Sequence, residues 1–297
     1  MPKLDPRLNA YRPDLAAESL KGRVEAARFV AGRPAQVVRG VAALRRRPGA
    51  GEPLDSQLLS GEAVTVYDQA DGWSWVQNAS DGYVGYVDSA ALGAEVRATT
   101  HSVAVPGSFL YPEPDLKAPP RDRLTMTGRV AVVDQQGGFS KAALGAPGQD
   151  GWVYTRHLAA DGEVAPDYVE TALRFLGVPY LWGGKAGDGL DCSGLVQVGL
   201  ARAGIACPRD SDMQAESLGR AVPWEPGRRA LERGDLIYFP GHAAIALDAG
   251  RVVNANAHAM LVSVEPLKDV EDRVKAETGG TGVTAVRRLG LQPKAAG

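Results

Sequence analysis

Cysteine is scarce: Cys192 and Cys207 are the only two in 297 residues. This excludes a disulfide-stapled scaffold, and one bridge over so short a loop would add little in a reducing compartment. No Cys-x-x-Cys or His-x-x-x-His spacing occurs, so Cys192, Cys207, His242 and His258 make a poor zinc set. No metal or cofactor is expected. No stretch is long and apolar enough to span a bilayer. The first residues, Met1-Pro2-Lys3-Leu4-Asp5-Pro6-Arg7, lack the apolar core of a secretion signal, which predicts a cytoplasmic location. Excess charge is missing too. A formal net charge of −2 and a pI near 6.1 point away from nucleic acid and anionic membranes. Arg45-Arg46-Arg47 is too short a run to alter this and reads as a solvated turn. Nothing in the sequence sets an oligomeric state.

What is present begins with a repeat. The length suggests about two domains, but residues 63–92 set over 129–158 match without a gap. Val64, Val66, Asp68 and Gln69 fall on Val130, Val132, Asp134 and Gln135, and Gly85-Tyr86-Val87 falls on Gly151-Trp152-Val153. Both copies alternate apolar and polar residues in short runs broken by Asp-Gly or Gly-Gly, the pattern of β-hairpins in a small barrel. The expected organisation is an N-terminal helical strap over 1–34, small barrels over 35–96 and 97–162, and a third domain over 163–297. The strap helix is placed from Asp14 to Val30 on its apolar spacing. Pro106, Pro112, Pro114, Pro119 and Pro120 mark a long irregular loop in the second barrel.

From Pro166 the period changes. Tyr168, Val169, Ala172, Leu173 and Leu176 predict an amphipathic helix ending at Gly177. A glycine loop, Tyr180-Leu181-Trp182-Gly183-Gly184, then leads to Asp191-Cys192-Ser193-Gly194. Leu195, Val196, Gly199, Leu200 and Ala203 recur at helical spacing, with Asp191 as N-cap and Gly204 as stop. Cys192 therefore sits in the first helical turn, where the dipole should ease ionisation of its thiol. Trp182 is read as core. A short helix is expected from Ser211 to Leu218, then strands at 236–239, 242–247, 251–254, 261–264 and 284–288, an α+β order.

Such a thiol needs a base. Of the four histidines, His101 and His157 fall in the barrels and read as surface or packing residues. His242 opens an apolar strand, and His258 lies beyond the next turn. Centring that turn between Ala249 and Gly250 sets His242 opposite residue 257. A bulge or wider turn is then needed for the two histidines to share a face. With it, Cys192, His242 and His258 form a nucleophile, base and orienter.

The spaced motifs Tyr180-Leu181-Trp182-Gly183-Gly184, Asp191-Cys192-Ser193-Gly194, Gly241-His242 and Ala257-His258-Ala259 resemble the NlpC/P60 cysteine peptidases, papain-like enzymes that cut cell-wall peptides. The two repeats resemble bacterial SH3-like barrels. Together with Pro208-Arg209-Asp210-Ser211 they are similar to the dipeptidyl-peptidase VI-like members, γ-D-glutamyl-L-diamino acid endopeptidases. The resemblance implies an α+β papain-like domain after two SH3-like barrels, acting on murein peptides with a free L-Ala. It assigns Cys192 as nucleophile, His242 as base and acid, and His258 as orienter. It places Tyr180 beside the oxyanion, Asp191 and Ser193 along the γ-D-Glu subsite, and Asp210 on the substrate amine. Glu62 and Tyr83 of the first barrel would cap the pocket; Tyr83 has no aromatic counterpart in the repeat, where Gln149 stands. The chain departs from the family at Gly241-His242-Ala243-Ala244-Ile245, where Gly-His-Val-Gly-Ile is usual. Two other readings compete: a secreted hydrolase of intact wall, and a non-catalytic wall-peptide-binding protein.

Overall fold

The computed structural model describes residues 4–146, 148–225 and 231–290, so the first three residues of the expected strap lie outside the description. The chain divides into two units, Met1–Glu163 and Val164–Gly297.

In the first unit the expected strap helix does not form. Ala16–Ala17 pairs in parallel with Phe29–Val30, around a single 3₁₀ turn at Glu18–Leu20. The reason is local: Pro13 precedes the segment, and Gly22 turns the chain at φ 80°. The apolar residues that suggested a helix face are buried differently. Ala10, Leu15, Ala17 and Leu20 gather around Trp75 of the first barrel. Arg12 lies 4.4 Å over the Trp75 ring and pairs with Asp68 at 2.6 Å.

The repeat holds at the level of hydrogen-bond register. Ala63–Ala70 pairs with Trp73–Asn78 through a bulge between Val66 and Asp68. Arg129–Gln136 pairs with Phe139–Ala143 through the corresponding bulge between Val132 and Asp134. A 3₁₀ turn follows in each copy, at Ser89–Ala91 and Thr155–His157. Each turn is tied to its sheet by a hydroxyl pair, Ser74–Ser89 at 2.8 Å and Ser140–Thr155 at 2.9 Å. The first copy builds a seven-stranded sheet; the second a five-stranded sheet plus the hairpin Gly107–Leu110 with Asp122–Thr125, which the proline-rich loop connects.

The second unit is a six-stranded antiparallel sheet with helices on both faces. Strand order is Arg220–Ala221, Ala285–Arg288, Leu236–Phe239, His242–Ala246, Arg251–Asn256, Leu261–Pro266. The helices are α1 (Tyr168–Leu173), α2 (Cys192–Arg202), α3 (Ser211–Ser217) and α4 (Leu267–Thr278). Ile237, Phe239, Ala244, Ala246 and Val252 pack on Leu267, Val270 and Val274 of α4. By strand alternation, the fully buried Ala243, Ile245, Val253 and Ala255 face the other way, on the side of α2.

α2 runs as the sequence suggests, capped by Asp191 and stopped by Gly204 at φ 76°. Its first turn tolerates no side chain at Gly194, where a Cβ would lie 2.1 Å from the Gly184 carbonyl oxygen. Gly194→Ala should therefore cost about 1–3 kcal/mol, since both atoms are held by backbone. Urea unfolding checks this; an unchanged midpoint would show that loop and helix separate freely.

Candidate active site

The site lies where the tip of α2 meets the start of His242–Ala246. Cys192 is buried at the first position of the helix. Its Sγ faces the backbone N–H of Ala243, the residue after His242. Both cysteines are free thiols. His242 is half-buried, with its ring 5.8 Å from that of Phe239.

The residue behind His242 is not the expected one. Ile245 pairs with Val253 and Ala246 with Val252. The turn is thus centred on Ala249 rather than between Ala249 and Gly250, which shifts the partner strand by one residue. His242 then shares its face with Asn254, and the side chains of the two are within hydrogen-bonding reach. His258 falls in the turn 257–260 and is exposed. A bulge or wider turn had been needed to bring His258 opposite His242; the observed turn is tighter, the strand ends at Asn256, and the residue brought in is Asn254.

Asp191 is fully committed within the protein. It accepts from Gly183 N at 2.9 Å, Gly194 N at 2.7 Å and Ser193 Oγ at 3.2 Å. The Arg209 guanidinium, itself 0% exposed, bonds both its oxygens at 3.0 and 2.7 Å. Arg209 also donates to Ser193 Oγ at 2.9 Å. Asp191 and Ser193 therefore clamp the glycine loop, the helix tip and Arg209 together, a scaffold role beside the nucleophile that the sequence reading did not assign to them. Arg209 is the residue that motif reading passed over. Asp210, next in the chain, is half-buried at the N-cap position of α3 but does not cap that helix.

Tyr180 is held by the sheet edge. Its N–H donates to Met260 O at 2.9 Å, and Gly177 N donates to Val262 O at 2.9 Å. Burial, and after it the neighbouring Cys192 and Asp191, raise its phenol, which keeps it a hydrogen-bond donor beside the thiol. Trp182, expected in the core, is 67% exposed. The glycines around it turn the indole outward from the loop.

Comparison with protein-family profiles matches residues 44–92 to the bacterial dipeptidyl-peptidase SH3 domain and residues 177–273 to the NlpC/P60 family. The chain carries an NlpC/P60 peptidase domain behind a bacterial SH3 domain. Among curated relatives, the γ-D-glutamyl-L-lysine dipeptidyl-peptidase of Bacillus cereus is 28% identical over 242 residues, 72% of this chain and 71% of the relative. Dipeptidyl-peptidase 6 of Lysinibacillus sphaericus is 25% identical over 276 residues, 85% of this chain and 98% of the relative. The crystal structure of an NlpC/P60 family protein from Bacillus cereus has the same fold, with a TM-score of 0.73 at 22% identity, covering 87% of this chain and all of that one (100%).

Within the NlpC/P60 domain, burial dominates the electrostatics. It pushes the Cys192 thiol up to about 12; the Asp191 carboxylate adds to this, while the amides of Ala243 and Ser193 oppose it. The expected easing of ionisation by the helix tip is thus outweighed by desolvation and a neighbouring negative charge. Burial also pushes His242 down to about 4, with Asn254 pulling the other way. At rest both groups are neutral, and His242 is a base already free of its proton.

Two consequences for pH follow. In the unfolded chain the imidazole binds a proton near 6.5, whereas the folded one refuses it until about 4. Stability therefore falls as pH drops through that window, by about 2–3 kcal/mol, trimmed by the exposed edge of the ring. For the rate, kcat/KM should hold a plateau whose acid limb lies below about pH 5, because His242 stays neutral there. A profile from pH 4 to 9 with its acid limb at 6.5 or above would contradict the buried neutral base.

The remaining sequence candidates lie in the first unit. Glu62 accepts from Leu59 N at 2.8 Å and from Ser80 Oγ at 2.8 Å. Tyr83 is buried, and its N–H donates to Asp81 Oδ1 at 3.1 Å. Asn78 Nδ2 bonds both Ser80 and Asp81, so Glu62 and Tyr83 share one corner of the first barrel. His157 accepts or donates at 2.9 Å with Ser108 and stacks edge-on with Tyr154, a packing role. His101 bonds Thr100 at 2.9 Å. Among the described residues, no three His, Cys, Asp or Glu side chains gather as a metal would require, and no helix is long and apolar enough to cross a membrane.

Proposed function

We propose that this chain is a cysteine endopeptidase that hydrolyses the γ-D-Glu–L-diamino acid bond of murein peptides bearing a free N-terminal L-Ala. The observation that carries the reading is Cys192 at the tip of α2, against the backbone next to His242, with Asn254 behind the ring. The names of the similar proteins, γ-D-glutamyl-L-lysine dipeptidyl-peptidase and dipeptidyl-peptidase 6, support the bond that is cut. Lysine is accordingly the first diamino acid to try.

In this reading Cys192 attacks the γ-carbonyl carbon as His242 takes the thiol proton. The backbone N–H of Cys192 and the Tyr180 hydroxyl hold the oxyanion. His242 returns the proton to the leaving α-amine of the diamino acid, leaving a thioester on Cys192. Water, deprotonated by His242, then releases L-Ala-γ-D-Glu. Asn254 takes the orienting place first given to His258, a Cys-His-Asn set of papain type. Asp210 supplies a carboxylate for the substrate ammonium. A glycan-linked peptide has no such amine, so a cytoplasmic site of action on released peptides belongs to the same proposal.

Incubating the purified chain with L-Ala-γ-D-Glu-L-Lys should yield the dipeptide and free lysine by mass spectrometry. Acetylating the alanine should lower kcat/KM by about 100-fold or more, since the ammonium that Asp210 would recognise is then gone. Equal cleavage of both peptides would favour an enzyme of intact wall. No cleavage of either would favour a binding protein.

A further inference from the structure

Asn254 is 0% exposed. Its side chain has two unlike edges: an oxygen that accepts and a nitrogen that donates. Only the oxygen edge serves a neutral imidazole N–H. Something must therefore decide which edge faces His242.

The neighbouring strand does so. Asn254 lies directly opposite Ser263, and Glu265 is the diagonal neighbour on the same face. Asn254 Nδ2 donates to Glu265 Oε2 at 3.0 Å. The same oxygen receives Asn256 Nδ2 at 2.9 Å and Ser263 Oγ at 3.2 Å. The other oxygen, Oε1, pairs with Arg273 of α4 at 2.8 Å. Burial pushes the Glu265 carboxyl up, but the bonds from Asn254 and Arg273 outweigh it, and the net direction is down. An ionised carboxylate offers acceptors only. It takes the nitrogen edge of Asn254 and turns Oδ1 away. That oxygen is buried and meets no firm hydrogen-bond donor, while the His242 ring lies in reach of the same side chain. In the flipped state an amide oxygen would oppose the carboxylate, and N–H would oppose N–H at the ring.

We propose that Glu265, anchored by Arg273, is a positioning residue for the peptidase reaction: it fixes the Asn254 amide so that its oxygen holds one N–H of His242, leaving the other ring nitrogen open to the Cys192 proton. This rests on the catalytic reading above. It assigns a task to Asn254-x-Asn256 and Ser263-x-Glu265, alternate residues on facing strands, that strand formation alone does not require.

The test uses the full chain, with two readouts. One is cleavage of L-Ala-γ-D-Glu-L-Lys; the other is alkylation of Cys192 by iodoacetamide, followed by peptide mass spectrometry so that Cys207 is scored apart. Glu265→Gln should lower kcat by about 10–100-fold, the size of loss that follows removal of the groups orienting a metal-bound histidine, with KM within about 2-fold. Alkylation of Cys192 should slow by a similar factor. Combining Glu265→Gln with Asn254→Ala should be no worse than Asn254→Ala alone, because the carboxylate acts only through the amide. A kcat within about 2-fold of the parent, or losses that multiply in the double variant, would overturn the assignment. Should Glu265→Gln fail to fold, Arg273→Gln leaves Glu265 in place and should still cost about 3–10-fold in kcat; no loss there overturns the assignment equally. If the peptide is not cut by the parent chain, the substrate reading fails, and the alkylation arm decides the positioning role by itself.

Discussion

Cys192→Ala should lower kcat/KM on a cleaved peptide by about 10,000-fold or more while leaving the thermal midpoint close to the parent's. The thiol is a small buried group with few polar commitments, and alanine keeps the helix start. His242→Ala should cost nearly as much, and the double variant little more than either single one, because nucleophile and base act as one unit. Steady-state kinetics with circular dichroism checks this. Activity persisting in Cys192→Ala would remove the nucleophile from the mechanism altogether.

Arg209→Met should be the most destabilising single change. It strips the guanidinium from a carboxylate that is buried with it. Breaking a buried pair from one side typically costs about 3–5 kcal/mol, because the remaining charge stays in the interior unpaired. For a unit of this size that is roughly a 10 °C fall in midpoint. Activity should fall as well, since Asp191 ties Gly183, Gly194 and Ser193 around the nucleophile. Replacing the pair with apolar residues on both sides should recover much of the stability, although not the loop geometry. Calorimetry on the single and double changes separates these effects, and a midpoint unmoved by Arg209→Met would mean that the pair is balanced by hydration.

Much of this was legible in the chain itself. Asp191, the following heptad of apolar positions and Gly204 defined α2, and its bounds agree with the observed Cys192–Arg202. The gapless repeat foretold two copies of one hairpin pattern; that they also share the bulges at Val66/Asp68 and Val132/Asp134 is a finding of the structure. Strands around His242 were visible as apolar runs. What was not legible depended on tertiary packing. One residue of turn length put Asn254 on the face of His242, and the end of the strand at Asn256 left His258 in the exposed turn beyond it; neither is written in Asp248-Ala249-Gly250-Arg251. The strap residues had helical spacing, yet Trp75 offered them a better burial in extended form. α4 escaped notice because its apolar stripe is only Leu267, Val270 and Val274 amid charge. The direction of the Cys192 thiol depends on burial, which no local motif reports.

The pairing of residues 177–180 with residues 260–262 carries a consequence for how a ligand can be held. Close to the nucleophile, the rim of the sheet already has its main-chain groups occupied by the protein's own loop. The opposite rim is a strand of two residues, Arg220–Ala221. An incoming peptide therefore has little main-chain ladder to join there by strand addition. Under the proposed function this suits a ligand whose backbone is interrupted by a side-chain amide and so has no regular ladder to offer.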